Sequence, residues 1–231
     1  MLNDTQIMAE FEAAEAILRG HFVLSSGLHS DTYLQCARVL MNPARADRLC
    51  RALAEKLYAA LGAPERSSAV PPLGTAELSA TQVTGSEAFD RAKHKLPIDM
   101  VVAPAMGGVV VGYEMGRQLG VETIFCEREA GEFTLRRGFA IAPGARILLV
   151  EDVVTTGKSS LETVRCIEQF GGKVIAEASL IDRSNGAHGL PFPLIPLLTL
   201  EVKTYPADHL PPHLEGTSAI KPGSRWLQKS A

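Results

Sequence analysis

Short apolar runs alternate with amphipathic segments between residues 99 and 182, and this is the most regular pattern in the chain. Such runs are typical of buried strands, and apolar side chains three and four positions apart predict helices between them. Strands that alternate with helices of this length favour parallel pairing through right-handed crossovers, and fully apolar strands indicate a sheet covered on both faces. We therefore expect an α/β fold with a mainly parallel sheet flanked by helices. The predicted strands are DMVVAPA, VETIFCER, RILLV and KVIAEASLID, and the predicted helices are GGVVVGYEMGRQLG and SSLETVRCIEQFGG.

The N-terminal part of the chain is less regular. Residues 5–19 have apolar side chains at helical spacing and predict one amphipathic helix, and Asn42-Pro43 opens a second that is predicted to run to Leu61. Between them, HFVLSSGLHSDTYLQ predicts two strands joined by a turn. Residues 62–96 are rich in Pro, Ser, Thr and Gly without a long apolar period, which predicts a surface insertion with a short helix near Ser86–Lys95.

The composition is that of one well-cored domain of 231 residues. The 23 basic and 26 acidic residues give a net charge of −3, which argues against a broad surface for nucleic acid or membrane. The N-terminus lacks the pattern of a secretory signal, and no apolar run reaches the roughly 20 residues of a bilayer span. Four cysteines without a C-x-x-C pair indicate neither disulfides nor a thiolate metal site. We expect a cytoplasmic protein that binds neither nucleic acid nor membrane.

The turn after the third predicted strand ends in Gly157-Lys158-Ser159, the three residues that close a nucleotide-triphosphate P-loop. That motif requires another glycine five positions earlier, where the backbone curls so that its N–H groups face a phosphate. Asp152 occupies this position, and an acid there would repel a triphosphate. The sequence therefore argues against an ATP or GTP site.

Three polar or glycine-rich stretches follow predicted strands, at 105–108, 151–160 and 182–186. Ligands of such sheets bind at the carboxyl ends of the strands, so we expect the three stretches to meet in one site. The N–H groups of the turn before the second helix, the helix dipole and the nearby hydroxyls favour a phosphate monoester. The adjacent carboxylates of Glu151 and Asp152 suit vicinal hydroxyl groups. A sugar 5-phosphate with free 2- and 3-hydroxyls carries both groups; the alternative is a solvated turn that only caps the helix.

The segment ILLVEDVVTTGKSS resembles the phosphoribosyl pyrophosphate (PRPP) signature of type I phosphoribosyltransferases. In that signature an apolar strand is followed by two acids, two apolar residues, a threonine and a small turn that contains glycine. Further segments, in the same order along most of the chain, are similar to the orotate phosphoribosyltransferase family. They are FVLSSGLHSDTYLQ, DMVVAPAMGGVVVGYEMGRQLG, ERE followed by TLRRGF, LIDRSNG and KPGSR.

The resemblance implies a type I phosphoribosyltransferase-like core with a small hood, in a single domain that spans residues 1–231. Residues 1–40 would contribute to the hood, and residues 191–231 would form a C-terminal extension. The resemblance also implies a homodimer that transfers the phosphoribosyl group of PRPP to orotate, giving orotidine 5'-monophosphate and pyrophosphate in pyrimidine synthesis. Mg²⁺ would be the cofactor, held mainly by PRPP and without direct protein ligands.

The substrate-binding residues follow from the same resemblance. Glu151 and Asp152 would bind the ribose hydroxyls, and Arg183 would face the carboxylate of orotate. Thr155 would contact both the phosphate and the base, whereas Lys158 either reaches the phosphate or faces solvent. The PRPP-binding segment that follows the two acids comprises Val153, Val154, Thr155, Thr156, Gly157, Lys158 and Ser159.

Two further segments match the parts of the family that handle pyrophosphate. Gly107 and Gly108 match the pyrophosphate loop, where glycine lets the backbone approach an anion closely. Residues 127–138 match a mobile loop that closes over the site of the neighbouring subunit, and its arginines could neutralise the departing pyrophosphate. Those arginines are Arg128, Arg136 and Arg137. The catalytic candidates are therefore Glu151, Asp152 and Arg128.

The chain departs from the family pattern where three lysines are common. Gly131 and Glu132 are nearest to a lysine of the mobile loop, Gly107 replaces one near the pyrophosphate loop, and Ser25 replaces one near the hood. These departures leave two other functions open, a PRPP-binding regulatory protein and a phosphoribosyltransferase for another base. Arg183 discriminates between bases, because an acceptor without a carboxylate would leave its charge unpaired.

Overall fold

The computed structural model describes residues 2–24, 26–62 and 96–222. Apart from its two end residues, the predicted insertion at 62–96 lies outside the described residues, together with its short helix. Ser25 and the last three residues of the KPGSR segment lie outside them as well. The helices and strands are α1 (Asp4–Ala13), β1 (Ile17–Val23), β2 (His29–Leu34), α2 (Cys36–Leu40), α3 (Pro43–Leu61), β3 (Met100–Pro104), α4 (Gly107–Leu119), β4 (Glu122–Glu129), β5 (Glu132–Thr134), β6 (Arg146–Val154), α5 (Lys158–Gln169), β7 (Lys173–Asp182) and β8 (Leu194–Thr199).

The central sheet has six strands in the order β5-β4-β3-β6-β7-β8. Every neighbouring pair is parallel except β4 and β5, which form an antiparallel hairpin. The chain passes from β3 to β4 in one direction and later adds β6 on the other side of β3. This reversal lies between β3 and β6, and a crevice opens there at the carboxyl ends of the strands, where open α/β sheets bind ligands.

Both faces of the sheet are covered, as the apolar strands predicted. Along β6 the side chains alternate between the two faces: Leu148 and Val150 pack in a core with α1, α3 and α4, whereas Ile147 and Leu149 pack in a core with α5. The predicted strands and helices between residues 99 and 182 are therefore confirmed. Within the described residues, no helix is long and apolar enough to cross a bilayer.

The first helix is shorter than predicted, because it ends at Ala13 instead of continuing to residue 19. Its end is a Schellman motif, in which Ala16 N–H donates to the carbonyl of Phe11 (2.9 Å) and Glu15 N–H donates to that of Glu12 (2.8 Å). The left-handed position of this motif usually carries glycine, but here it carries Glu15, with φ 48°. Because no glycine marks the end of α1, the apolar spacing in the sequence predicted a helix that extends into β1.

Three short elements were not predicted: α2, β5 and β8. The edge strand β8 lies within the segment predicted as a C-terminal extension and pairs in parallel with β7. Strand β5 lies within the predicted mobile loop and returns along β4 after a two-residue turn. Ala130 and Gly131 form that turn with positive φ values of 50° and 93°, as a tight hairpin with right-handed twist requires.

Strands β1 and β2 form a separate antiparallel sheet beside the main one. It is joined to the C-terminal segment by backbone bridges from Phe22 to Ile220 and from His29 to Tyr205. By contrast, α1 packs its buried face on the main core. We call the two-stranded sheet and its bridges the hairpin junction.

A directional chain of hydrogen bonds adds to the hairpin junction. The hydroxyl of Thr217 donates to the carbonyl of Leu214 (2.7 Å), so its oxygen accepts from Nδ1–H of His21 (2.8 Å). Nε2 of His21 lies 2.6 Å from Nδ1 of His29, and the two ring nitrogens share a hydrogen bond. His21 and Thr217 are 196 positions apart in the sequence, so these contacts join the N-terminal hairpin to the C-terminal segment.

Candidate functional site

The carboxyl ends of β3, β6 and β7 converge, and the three predicted stretches meet there. Arg183 N–H donates to the carbonyl of Val154 (2.8 Å), which ties the end of β7 to the end of β6. A Cβ added to Gly107 would lie 2.8 Å from Oδ1 of Asp152, so the loop after β3 contacts the acidic pair. A Cβ on Gly157 would lie 2.1 Å from the carbonyl oxygen of His188, so the loop after β7 packs on the turn before α5.

The acidic pair lies on β6, two residues before the strand ends. Glu151 is buried, and Asp152 is half-buried with Oδ1 accepting from the N–H of Val153 (2.9 Å). Burial raises the pKa of Glu151 well above its usual range, and the charges of Asp152 and Glu177 raise it further. Burial also raises the pKa of Asp152, against the lowering effect of backbone hydrogen bonds. Such a crowded acidic pair is stabilised by hydrogen-bond donors on a ligand.

The turn after β6 presents backbone N–H groups to the same crevice. Helix α5 begins at Lys158, and its N-cap residue Gly157 is left-handed (φ 70°) and supplies no side-chain cap. The N–H groups of the first helical turn have no partner within the helix, and the helix dipole adds positive potential. Thr155, Thr156 and Lys158 are exposed around this turn. The turn is therefore suited to a phosphate group.

The other residues of the predicted segment have different surroundings. Val154 is buried, and Val153 packs against the main core. A ligand could therefore contact only the backbone of these two residues or the edge of the Val153 side chain. Ser159 is half-buried, and its carbonyl accepts from the hydroxyl of Thr163 (2.9 Å).

Gly107 and Gly108 allow the loop after β3 to lie against β6. A Cβ on Gly108 would lie 2.9 Å from the carbonyl oxygen of Val150, and one on Gly107 would meet the Asp152 carboxylate. The departure from the lysine common in the family thus has a steric reason, since any side chain at position 107 would displace Asp152.

Arg183 directly follows the end of β7 and is half-buried. Its Nε is buried and has no hydrogen-bond partner among the described residues. Burial lowers the pKa of the guanidinium, and the neighbouring Tyr33 and Cys36 partly offset this effect. A buried guanidinium with an unused donor favours an anionic ligand group.

Tyr33 and Cys36 are site residues that the sequence reasoning missed. Tyr33 is half-buried, and burial together with the charge of Asp152 raises the pKa of its phenol. The thiol of Cys36 lies 4.0 Å from the carbonyl oxygen of Asp152. Tyr33 lies within a segment similar to the family, but without the fold nothing in that segment distinguishes it from its neighbours.

Arg128 lies near the end of β4 in the β4–β5 hairpin, and its side chain reaches α5. Its guanidinium donates to the carbonyl of Gly131 (2.6 Å) and to Glu162 of α5, and it stacks on Phe133 at 4.1 Å from the ring centroid. The side chain remains 44% exposed. Among the described residues, the hydrogen bonds of Arg128 are to Gly131 and Glu162, and none is to Glu151 or Asp152.

The other two arginines of the hairpin also face acids. Arg137 makes a two-pronged pair with Glu127, at 2.8 Å for each bond, and Arg136 approaches Glu129 at 4.0 Å. Exposed pairs of this kind contribute little to stability, so a stronger anion can replace the acids.

Comparison with known proteins shows what the chain is similar to. A profile of the phosphoribosyl transferase domain matches residues 86–189. Orotate phosphoribosyltransferase of Rhizorhabdus wittichii is 50% identical over 224 residues, which cover 97% of both chains. The protein of that name from Sphingopyxis alaskensis is 51% identical over 225 residues, covering 97% of this chain and 98% of that one.

Solved structures show the same fold. The crystal structure of orotate phosphoribosyltransferase from Aeropyrum pernix matches with a TM-score of 0.58 at 21% identity, covering 84% of this chain and 93% of the other. This likeness confirms the predicted fold class, an α/β core with a mainly parallel sheet flanked by helices.

Proposed function

Since the chain belongs to the orotate phosphoribosyltransferase family, we propose that it transfers the phosphoribosyl group of PRPP to orotate. The products are orotidine 5'-monophosphate and pyrophosphate, and the reaction is a step of pyrimidine synthesis. The observation that carries this assignment is the meeting of three features in one crevice: a crowded acidic pair, an uncapped helix N-terminus and a buried guanidinium with a free donor.

PRPP matches the first two features. The ribose hydroxyls donate to Glu151 and Asp152, which relieves the repulsion between the two carboxylates. The 5-phosphate binds the N–H groups from Thr155 to Ser159 at the start of α5, where the helix dipole favours an anion. The pyrophosphate lies against Gly107 and Gly108, whose lack of side chains leaves the backbone open to it.

Orotate matches the third feature. Its carboxylate accepts from Arg183, which satisfies the buried Nε. Tyr33 is close to Arg183 and Asp152 and supplies an aromatic wall between the base and the ribose. Uracil has no carboxylate and would leave the guanidinium unpaired.

In the reaction, a ring nitrogen of orotate loses its proton to solvent and forms a bond to the anomeric carbon while the bond from that carbon to pyrophosphate breaks. The chain holds the two reactants in line, and positive charge on the ribose ring is balanced by the acidic pair below it. Negative charge accumulates on the departing pyrophosphate. Arg128 of the hairpin exchanges the half-buried Glu162 for this anion.

Mg²⁺ is the cofactor that we propose, bound mainly by oxygens of PRPP. The polar groups around the crevice are carboxylates and hydroxyls, which suit a hard cation that keeps waters and substrate phosphates as ligands. When bound, it supplies charge neutralisation for the pyrophosphate group.

A homodimer is proposed from the surface of α4. Met106, Val110 and Tyr113 recur along one side of the helix and are 82%, 50% and 70% exposed. Such an apolar stripe on the surface favours burial against a second copy. We also propose a cytoplasmic location, which is supported by four buried cysteines that form no disulfide within the described residues.

The function is tested by the loss of orotate absorbance with purified protein, PRPP and Mg²⁺. We expect turnover by the wild type and a decrease of roughly two orders of magnitude in kcat/KM for Asp152→Asn, which removes a charge without changing shape. Binding of PRPP without turnover would instead support a regulatory protein.

The base is tested with Arg183→Ala, which should lower kcat/KM for orotate while its affinity for PRPP stays near that of the wild type. Equal turnover of orotate and uracil by the unaltered protein would contradict the assignment of orotate.

A further inference from the structure

A third carboxyl group lies beneath the acidic pair and has no role in the reaction described above. Glu177 lies in the middle of β7 and is completely buried. Its register partners are Leu149 on β6 and Leu194 on β8. A glutamate among such apolar neighbours costs free energy unless its polar atoms are satisfied, so its contacts decide what it does.

One oxygen of Glu177 is anchored to α5. Oε1 accepts from the hydroxyl of the buried Ser160 at 2.8 Å. Ser160 is the third residue of α5 and therefore belongs to the turn whose N–H groups face the crevice. The Glu177 carboxyl group thus fastens the phosphate-binding turn to the sheet.

The other oxygen of Glu177 and a nearby hydroxyl are both unsatisfied within the part of the chain that the structure describes. Oε2 of Glu177 is buried without a hydrogen-bond partner among the described residues, and so is Oγ of Ser179. Side chains two positions apart on a strand share a face at roughly 7 Å, and Ser179 is the register partner of Glu151. Glu177, Ser179 and Glu151 therefore form a polar row that leads from the core to the acidic pair.

The charged groups that act on Glu177 are all negative. They are Asp182 on its own strand and Glu151 on β6, while α5 presents Ser160 and β8 presents Leu194. Burial raises the pKa of Glu177 to about 7, Asp182 raises it too, and the Ser160 hydrogen bond opposes the rise. Glu177 is therefore neutral in mildly acidic solution and becomes charged in mildly basic solution.

We propose that Glu177 is a positioning residue for PRPP, an inference that rests on the proposed function. Neutral Glu177 holds the first turn of α5 through Ser160. Loss of its proton places a negative charge beneath the phosphate-binding turn and beside Glu151, so PRPP binds less tightly.

The test compares the Kd of PRPP, at about pH 6 and about pH 8.5, for the wild type, Glu177→Gln and Glu168→Gln. Glutamine keeps the acceptor for Ser160 and cannot ionise, and Glu168 is an exposed residue of α5 that serves as the matched control. We expect equal affinities at the lower pH and, at the higher pH, binding by Glu177→Gln that is roughly three- to tenfold tighter than that of the other two proteins. Parallel pH profiles for all three proteins would overturn the inference.

Ser160→Ala tests the anchoring separately, because it leaves the carboxyl group in place. We expect weaker PRPP binding at both pH values, and unchanged affinity would refute the anchoring role.

A stability measurement keeps this inference distinguishable from the proposed function. Because the folded pKa of Glu177 lies above the usual value of 4.5, the folded state binds the proton more tightly than the unfolded state. The free energy of unfolding of the wild type should therefore fall as pH rises from about 4.5 to beyond about 7, and Glu177→Gln should show a smaller decrease, to which Glu151 and Asp152 still contribute. Equal slopes would overturn the inference, whereas a wild type that binds no PRPP at any pH would refute the proposed function alone.

Discussion

At the scale of single residues, Asp152 and Gly107 share one corner of the site. The Asp152 carboxylate occupies the space that a side chain at position 107 would take. No positive φ requires glycine at this position, so the constraint is the carboxylate alone. Position 107 therefore affects substrate binding and not the folding of α4.

Gly107→Ala is expected to lower affinity for PRPP while the protein stays folded. The new methyl group pushes the Asp152 carboxylate away from the ribose, and alanine at the first position of α4 is a better helix former than glycine by up to about 1 kcal/mol. Steady-state kinetics should show a raised KM for PRPP, and urea unfolding should show stability equal to or above that of the wild type. A variant with a normal KM for PRPP would show that the Asp152 side chain adjusts freely or that it contributes little to PRPP binding.

The residues of the acidic pair and its turn could be predicted because they are contiguous in sequence and carry a specific pattern. Glu177 and Ser179 could not be predicted in this way, because their positions relative to the site depend on the strand register with β6 and on contact with α5. In the sequence KVIAEASLID, the glutamate looks like a solvent-facing residue of a strand. Only the covering of both sheet faces makes it buried.

At the scale of elements, the turn from β6 to α5 depends on a neighbouring loop. Gly157 has φ 70°, and the carbonyl oxygen of His188 lies where its side chain would be. The loop after β7 thus packs directly against the phosphate-binding turn. A change in the conformation of either loop would therefore disturb the other.

Gly157→Ala should be strongly destabilising, with Gly144→Ala as its matched control. Both glycines have left-handed backbone, but a Cβ on Gly144 would meet nothing within 4 Å. The control should lose about 1–2 kcal/mol from backbone strain, and Gly157→Ala should lose roughly 3 kcal/mol or more because a backbone clash is added. Urea unfolding measures the free energy of unfolding of the two variants. Equal losses would show that the loop containing His188 shifts readily to accommodate the added methyl group.

Elements with strong periodicity were predicted, and those defined by an unusual residue or by tertiary pairing were not. Helix α1 ends at Ala13, and the left-handed residue after its C-cap is Glu15, a residue type that seldom takes this backbone. Strand β8 is recognisable only from its pairing with β7, and β5 only from its turn at Ala130 and Gly131. The long apolar strands needed no such context.

At the scale of the whole molecule, a homodimer would let Arg128 serve the crevice of the neighbouring subunit, as the family resemblance implies. The acidic pair lies near the carboxyl end of β6, and Arg128 lies near the carboxyl end of β4, which β3 separates from β6. The apolar stripe on α4 gives a second copy a surface on which to dock.

Mixing two inactive variants tests the shared site. In a heterodimer of Arg128→Ala and Asp152→Asn, one crevice would combine the intact Asp152 of one subunit with the intact Arg128 of the other. Random exchange should therefore restore about a quarter of the wild-type activity. The assay is orotate consumption after subunit exchange, and no recovery, despite heterodimers seen by native mass spectrometry, would place Arg128 in the crevice of its own subunit.

The hairpin junction has a consequence for how the protein is made. His21 and Phe22 leave the ribosome early, yet their partners Thr217 and Ile220 are synthesised nearly 200 residues later. Domains generally fold as units, and the main core includes residues from α1 to β8. The N-terminal hairpin therefore has no partner for its edge until the C-terminal segment has been synthesised.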